Sequence, residues 1–335
     1  MGQGQLTIAV YQEATGWSLA GEYVDRIREA AGDQLSAQQV STSRDLLAAL
    51  PETRAIIGLP VSAAQLAQHG SALEWVQLTD SLGDATPALM HACAAGVRVS
   101  TASSIRAVPI AEHAVALLLA MVRRVGDCVL AQAEHRWAAS DLASRIHTLA
   151  GRRVGVFAHG QVLRAIMGRL SAFGVELIAS SPDPMEAAAE GLAQEVVRLS
   201  AIDDVMERCD AIVMALPRLP ATAGLIARKQ FAAANRRLVI VDVSRGGVID
   251  HRALLEALHR RRIAGAALDA FETTPLPPTS PLWTMPNVIV SPGISAASPQ
   301  YWRRGVDVIC RNVKRFVAGE PLEDELPAAW VRAAS

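Results

Sequence analysis

A glycine turn near the middle of the chain could bind a phosphate group. It follows a short apolar strand and opens a helical pattern. A dinucleotide-binding turn has the pattern G-x-G-x-x-G/A, whose glycines make the turn, admit the pyrophosphate and let helix and strand pack closely. Ala158, Gly160 and Leu163 stand at these three positions. Gly160 alone can still leave the N–H groups of Gln161 and Val162 facing an anion, which predicts a weakened pyrophosphate site. The alternative is an ordinary strand-to-helix turn.

The end of the next strand bears on which dinucleotide would bind. A carboxylate at that point bonds the ribose hydroxyls of NAD, but the strand ends in Ser180 and Ser181. A hydroxyl can donate to a 2′-phosphate, which favours NADP. No arginine follows directly to neutralise that phosphate, and Asp183 would repel it. The alternative is therefore that neither cofactor binds well.

One arginine stands where it could hold a carboxylate. Arg245 comes at the end of an apolar strand and directly before Gly246 and Gly247. A guanidinium is a planar fork donor that matches a carboxylate, and the two glycines leave backbone room for a flat ligand. These residue types predict an anion-binding arginine, and the alternative is a surface arginine in a turn.

These residues belong to a chain in which short apolar runs alternate with amphipathic stretches. That alternation is typical of βαβ units around a parallel sheet. The predicted strands are Leu6–Tyr11, Ala55–Leu59, Trp75–Thr79, Val97–Ser100, Val154–Ala158, Glu176–Ala179, Ala211–Ala215, Leu238–Val243, Gly265–Asp269 and Val288–Ser291. The predicted helices include Gln161–Phe173, Glu186–Arg198, His251–Arg261 and two long ones, Val108–Arg124 and Pro299–Ala318.

The length of the chain predicts two domains. It has 335 residues, whereas single cores stop growing near about 250–300 residues. The second sheet is complete before the last long helix begins, so we expect that helix to return to the first domain. The predicted division is a flavodoxin-like domain, 1–103 plus 297–335, and a Rossmann domain, 104–296. Both are expected to be α/β with parallel sheets, separated by a cleft.

Composition excludes several classes of function. The chain is 51% hydrophobic with a net charge of −1, which argues against disorder and against nucleic acid as the main partner. The apolar run at 114–122 is too short to span a bilayer, and no signal peptide is visible. The four cysteines lack metal or redox spacing, and no P-loop pattern exists. We therefore expect no metal, no membrane and a reducing cytoplasm.

Several motifs in order resemble those of the D-isomer-specific 2-hydroxyacid dehydrogenases. They are Ala-Glu-His-Ala-Val-Ala-Leu-Leu-Leu from 111, Cys-Asp-Ala-Ile-Val-Met-Ala-Leu-Pro from 209, Val-Ser-Arg-Gly-Gly-Val-Ile-Asp from 243, Ile-Ala-Gly-Ala-Ala-Leu-Asp-Ala-Phe-Glu from 263 and Leu-Pro-Pro-Thr-Ser-Pro-Leu-Trp from 276. The resemblance runs from about Ala72 to Leu326. It implies an oxidoreductase that uses NAD or NADP, acts on a small 2-hydroxy or 2-oxo acid and forms a homodimer through the Rossmann domain and the long helix with Glu112 and His113.

The resemblance also implies roles for individual positions. The family's catalytic arginine falls on Arg245, and its partner for the nicotinamide amide falls on Asp269. The positions implied for the cofactor are Ala158, Gly160, Gln161, Val162, Ser181, Leu216, Pro217, Val243, Ser244, Arg245, Asp269, Gly293 and Ser295. Those implied for the substrate are Arg245 and the loop residues Ser81, Leu82 and Gly83, where the family has a Gly-Val-Asp loop.

The acid/base pair of the family is absent. Thr274 stands at the position of its catalytic Glu, and Gly293 stands at the position of the His which that Glu orients. Neither residue titrates near neutrality, and losing a general acid/base typically costs about 10²–10⁴ in rate. Glu272 is two residues from Thr274, but an acid also stands there in the family, so we interpret it as structural. His159 and His113 are not predicted to replace the lost base.

Two hypotheses follow. In the first, the chain is an oxidoreductase with an altered substrate, such as an anion that releases only hydride. In the second, it is a non-catalytic binding or regulatory relative. Departures at Ala158, Leu163, Ser181, Thr274 and Gly293 converge on one predicted cleft, which favours impaired or absent dehydrogenase chemistry.

Overall fold

The computed structural model describes residues 4–79, 86–181, 191–218 and 221–326. Its contacts divide the chain into two compact units, Met1–Ile105 with Ser298–Ser335, and Arg106–Ala297. Each unit is built on one large parallel sheet covered by helices, so the predicted α/β fold class is confirmed. The roles predicted for the two domains stay predictions.

The first unit has a five-stranded sheet in the order β4-β1-β5-β6-β7. Its strands are β1 (Gly4–Ile8), β4 (Leu35–Gln39), β5 (Thr53–Ile57), β6 (Trp75–Gln77) and β7 (Arg98–Ser100), with a small hairpin of β2 (Tyr11–Gln12) and β3 (Trp17–Ser18). The helices are α1 (Gly21–Ala31), α2 (Ser43–Ala49), α3 (Ala63–His69), α4 (Thr86–Ala94) and the last helix, α12 (Tyr301–Ala318). Val306, Ile309 and Val313 of α12 are buried in the same core as Leu6 and Trp75, so the last helix belongs to this unit.

The second unit has a seven-stranded sheet in the order β10-β9-β8-β11-β12-β13-β14. The strands are β8 (Arg153–Phe157), β9 (Glu176–Ser180), β10 (Glu195–Val197), β11 (Ala211–Met214), β12 (Val239–Asp242), β13 (Gly265–Leu268) and β14 (Val288–Val290). The helices are α5 (Ser103–Val122), which begins in the first unit, α6 (Val125–Ala133), α7 (Ala139–Ala143), α8 (Gly160–Ser171), α9 (Ile202–Arg208), α10 (Arg228–Ala233) and α11 (His251–His259). Every residue of β11, β12 and β13 is buried, as expected for parallel strands covered on both faces.

Helix α8 shows how the sequence builds this unit. Its apolar residues Val162, Leu163, Ile166, Met167 and Leu170 recur at helical spacing and are all buried. They pack in one apolar cluster with residues of β8 and of α5. The helix is thereby fixed against the sheet, with its first turn at the carboxyl end of β8.

One sequence prediction about the elements is wrong. The helix predicted at Glu186–Arg198 is a strand, β10, over Glu195–Val197, and its earlier part lies outside the described residues. For the long apolar helix, the sequence predicts that its apolar run at 114–122 is too short to span a bilayer. Within the described chain, one helix, Ser104–Val122, is long and apolar enough by composition to cross a membrane, with a mean hydropathy of 1.7. Half of that window is buried inside the protein, which is also typical of a core helix.

Candidate active site

The predicted site residues of the second unit gather at one edge of its sheet. In a doubly wound sheet, ligands bind outside the carboxyl ends of the strands, where the strand order reverses. The order reverses between β8 and β11. Gly160 follows β8, Leu216 follows β11, Arg245 follows β12 and Asp269 follows β13. Strands far apart in sequence thus bring these residues to the same edge.

The phosphate turn keeps the features that an anion needs. Gly160 has a φ of +54°, a conformation that favours glycine. His159 precedes α8 without a side-chain cap, and the N–H groups of Gln161 and Val162 have no acceptor within the described part of the chain. Leu163 is fully buried in the core between α8 and the sheet. The residue at the third glycine position therefore packs inward and does not block the turn.

The flanks of the turn contribute little charge. Burial lowers the pKa of the His159 imidazole to about 4, so it is neutral at pH 7. Ser180 and Ser181 at the end of β9 are both almost completely buried. The Ser180 hydroxyl has no hydrogen-bond partner among the described residues. A phosphate group at this turn would therefore be held by backbone dipoles more than by side-chain charge.

The ends of β11 and β12 are joined by a small polar network. The Ser244 hydroxyl accepts a hydrogen bond from the Leu216 N–H at 3.2 Å, and the Ser244 N–H donates to Oδ1 of Asp242 at 2.9 Å. Asp242 is 1% exposed, and its Oδ2 has no partner in the described structure. Burial, reinforced by the nearby Asp269 carboxylate, raises the pKa of Asp242 to about 6 against the hydrogen bonds from Ser244.

Arg245 lies on an exposed turn that two glycines shape. Gly246 and Gly247 have φ of +76° and +72°. A Cβ at Gly246 would come within 2.2 Å of the Phe271 carbonyl oxygen, so only glycine fits. The second guanidinium at this turn belongs to Arg218, whose Nε would lie 3.2 Å from a Cβ at Gly247. The room predicted for a flat ligand is thus used in part by Phe271 and Arg218.

Asp269 organises the loop that follows β14. Its Oδ1 accepts hydrogen bonds from the Ser291 hydroxyl and from the N–H groups of Gly293 (3.1 Å) and Ile294 (3.0 Å). Its Oδ2 accepts from the Ser295 N–H at 2.8 Å. Burial would raise the pKa of Asp269, but these hydrogen bonds outweigh it and lower the pKa below the ordinary value. Oδ2 keeps acceptor capacity for one further donor, such as a carboxamide.

An imidazole joins the same network. Nε2 of His113 on α5 lies 2.8 Å from the Ser291 hydroxyl oxygen and 3.5 Å from Oδ1 of Asp269. Because the Ser291 hydroxyl donates to Asp269, it accepts from His113, which places a proton on Nε2. Nδ1 is then the nitrogen of His113 that takes no part in this network.

The two positions of the missing acid/base pair hold no titratable group. Gly293 has a φ of +75° and presents its N–H to Asp269. Thr274 is exposed on the loop between β13 and β14. The neighbouring Glu272 accepts a hydrogen bond from the His251 N–H at 3.1 Å, at the first turn of α11. That carboxylate therefore has a structural partner.

The remaining predicted residues divide into two groups. Ala158, Pro217 and Val243 are buried at the ends of β8, β11 and β12. Ser81, Leu82 and Gly83, together with Asp183, lie outside the described residues. Within the described ranges no group of three or more His, Cys, Asp or Glu side chains could hold a metal ion.

Sequence reasoning missed Ser291, Asp242 and Arg218 at this edge, and it gave His113 no role in the site. His113 and Ser291 are 178 residues apart, and no local pattern pairs them. The sequence does indicate the burial of Asp242, because an aspartate at the end of a fully apolar strand is expected to lie buried beside the end of the next strand.

The geometry agrees with comparison to known proteins. The family model described as "D-isomer specific 2-hydroxyacid dehydrogenase, NAD binding domain" matches residues 115–295, more than half of the chain. The chain belongs to the D-isomer specific 2-hydroxyacid dehydrogenase family. The matched segment contains the edge described above, so the expectation of NAD or NADP as the cofactor of this domain is supported.

Relatives of the family match most of this chain. It is 32% identical over 299 residues to D-3-phosphoglycerate dehydrogenase of Mycobacterium tuberculosis, covering 88% of the chain and 55% of that protein. It is 29% identical over 227 residues to glyoxylate reductase of Korarchaeum cryptofilum, covering 67% of the chain and 68% of that protein. The chain spans about half the length of the phosphoglycerate dehydrogenases it matches.

Solved structures of the family share the architecture. A D-isomer specific 2-hydroxyacid dehydrogenase from Xanthobacter autotrophicus, in complex with NADPH and MES, has a TM-score of 0.77 and 25% identity, covering 98% of this chain and 100% of that one. The apo D-mandelate dehydrogenase of Rhodotorula graminis has a TM-score of 0.79 and 19% identity, covering 97% and 98%. At that identity the second match shows the fold alone.

Proposed function

We propose that this chain is a nicotinamide-dinucleotide-binding family member whose dehydrogenase chemistry is slowed or lost. The observation that carries the proposal is the Gly293 N–H, which bonds Asp269 at the position where the family has a histidine. Thr274 replaces the glutamate that would orient that histidine. The substrate class remains a small 2-hydroxy or 2-oxo acid.

The residues at the sheet edge fit the cofactor. The N–H groups of Gln161 and Val162 are available to a pyrophosphate, and Oδ2 of Asp269 can accept from a carboxamide. When bound, the cofactor supplies the hydride donor or acceptor. Buried Ser180 and Ser181 bring no charge, so we expect similar, modest affinities for NADH and NADPH.

Proton transfer is the step that this chain supports poorly. Arg245 is exposed and can pair with a substrate carboxylate. An alkoxide is too basic to form freely, so reduction of a keto acid needs a proton donor beside it. Thr274 and Gly293 supply none, which predicts a rate loss of about 10²–10⁴ relative to a complete site.

A calorimetric titration with NADH and with NADPH tests cofactor binding, and Thr274→Glu with Gly293→His tests the missing pair. We expect saturable binding of at least one cofactor by the natural chain. We expect the double variant to gain glyoxylate reduction, but only in part, because a φ of +75° at Gly293 strains any other L-residue. Failure of both cofactors to bind would refute the proposal.

His113 favours a second candidate, an active oxidoreductase with a replaced proton relay. Its imidazole and the Gly293 N–H approach the same oxygen of Asp269, so an imidazole does stand near the lost histidine. His113→Gln should then abolish any keto-acid reduction, while cofactor affinity stays unchanged. His135→Gln, at an exposed site, serves as the control. Activity that survives His113→Gln would eliminate this candidate.

Homodimer formation is also part of the proposal, with the interface on α6 and not on the long helix α5 named in the prediction. Val115, Leu117, Leu118 and Met121 are buried in the core of their own unit. Exposed apolar residues lie instead on α6 and just beyond, at Val125 (48%), Val129 (58%), Leu130 (63%) and Trp137 (91%). Such a patch is typical of a protein interface.

Sedimentation of the natural chain and of a Val129→Glu, Leu130→Glu variant tests that interface. We expect a dimer for the natural chain and a monomer for the variant, and a monomeric natural chain would refute it. We further propose a cytoplasmic location, which the four free cysteines support.

A further inference from the structure

The opposite edge of the second unit's sheet holds a cavity that the proposed function does not use. Its volume is about 930 Å³, within the range of small-molecule sites. The amino ends of the central strands form its floor, with the apolar residues Val239, Ile263, Met121 and Leu149. Because the strands are parallel, this edge lies a full strand length from the dinucleotide edge.

The walls of the cavity carry an excess of positive charge. Six arginines line it: Arg124, Arg145, Arg152, Arg236, Arg237 and Arg261. Asp127 pairs with Arg124 (2.6 Å) and lies 3.5 Å from Arg145. Asp210 pairs with Arg152 (3.1 Å) and Arg237 (3.6 Å). Two carboxylates thus form the ion pairs of four arginines. Arg236 and Arg261 have no ion pair among the described residues.

Two of these arginines occupy strained backbone positions. Arg124 has a φ of +58° and Arg261 a φ of +51°, in the left-handed region that side chains rarely adopt. Arg261 stands just after α11, where its N–H bonds the Leu258 carbonyl and the next N–H bonds that of Ala257. This is a Schellman motif, whose left-handed position normally holds glycine. The chain thus keeps an arginine where glycine would be more stable, and its side chain lines the cavity.

We propose that this cavity binds a small phosphorylated organic molecule carrying at least two negative charges. The arginines supply charge-assisted donors for the phosphoryl oxygens, and the apolar floor accepts an organic body. A bound polyanion would also relieve repulsion among the arginines. The inference does not depend on the proposed function, because it uses no residue of the dinucleotide edge.

Arg261→Gly separates ligand binding from helix capping. Removing the left-handed strain should raise the Tm of the ligand-free protein. Removing the guanidinium should weaken binding of inorganic pyrophosphate about tenfold by calorimetry at constant ionic strength. If the arginines serve only the helix ends, Tm rises but pyrophosphate affinity is unchanged, and that result would overturn the proposal.

Three further measurements sharpen the test. Arg236→Gln, on an exposed side chain, should weaken pyrophosphate binding without altering the backbone, whereas Arg304→Gln on α12 should not. Phenyl phosphate should bind more tightly than inorganic phosphate, and equal binding would remove the organic ligand from the proposal. Saturating NADH should leave pyrophosphate bound, and displacement would assign pyrophosphate to the phosphate turn instead. If the protein binds pyrophosphate but not NADH, the proposed function is refuted and this inference stands.

Discussion

Asp242 makes the stability of this protein depend on pH in a way that one substitution should remove. The carboxylate is 1% exposed, and burial raises its pKa to about 6 from the ordinary 3.8. The folded state therefore binds more protons than the unfolded state between about pH 4 and 6, so this group's contribution to stability falls as pH rises through that window. At about 1.36 kcal/mol per pKa unit, the loss reaches roughly 3 kcal/mol above pH 6.

Asp242→Asn keeps the acceptor for the Ser244 N–H but cannot ionise. Its Nδ2 would replace the unpartnered Oδ2 and lack a partner in turn, which costs about 1–3 kcal/mol. We therefore expect a small net gain in stability at pH 7, of the order of 1 kcal/mol. The free-energy cost of the unpartnered Asn Nδ2 does not vary with pH. The change with pH in the difference between the two unfolding free energies therefore reports on Asp242 alone.

Thermal unfolding of both proteins at intervals from pH 4 to pH 8 measures this difference. The variant should gain about 3 kcal/mol relative to the natural chain between pH 4 and pH 7. Asp25→Asn, at an exposed aspartate on α1, controls for removing a charge. A difference between variant and natural chain that stays flat across this range would refute the reasoning about Asp242.

Two other predictions concern fixed features of the second unit. Gly246→Ala should lower the free energy of unfolding by more than about 2 kcal/mol, because its Cβ collides with the Phe271 carbonyl. Gly174 has a φ of +66° and open space around it, so Gly174→Ala should lower that free energy by only about 1 kcal/mol. Denaturant unfolding measures both. Burial raises the pKa of the Cys209 thiol to about 12 despite Arg208, so at pH 8 iodoacetamide should spare Cys209 but modify exposed Cys128 in the monomeric Val129→Glu, Leu130→Glu variant. Equal modification of both thiols in native protein, read by mass spectrometry, would contradict this.

Much of the fold could be predicted because its signals are local. Apolar runs such as Ala211–Met214 are buried on both faces. Such a run predicts a strand from its own residues, before its neighbouring strands are known. Short edge strands carry no such signal. Glu195–Val197 is only three residues long and half exposed. The segment before it is rich in alanine and glutamate, which predicts a helix. The strand forms because it pairs with β9.

The site residues also fall into those with a local sequence signal and those that only tertiary packing brings together. Arg245 and Asp269 could be placed because each follows an apolar strand, and parallel strands bring their carboxyl ends to one edge. The pairing of His113 with Ser291 and the burial of Asp242 arise only when helix and strands pack together. The side chain of Leu163, at the third glycine position, is accommodated in the core between helix and strand, which only the packing shows.

We propose that this chain holds a nicotinamide cofactor but lacks the pair of side chains that moves the proton. The most direct test is the rate of NADH or NADPH oxidation with glyoxylate at pH 7 and saturating cofactor. Ordinary enzymes turn over at about 1–10³ s⁻¹, and we predict a rate at least about 10²-fold below that range. Turnover within the ordinary range by the natural chain would contradict the account.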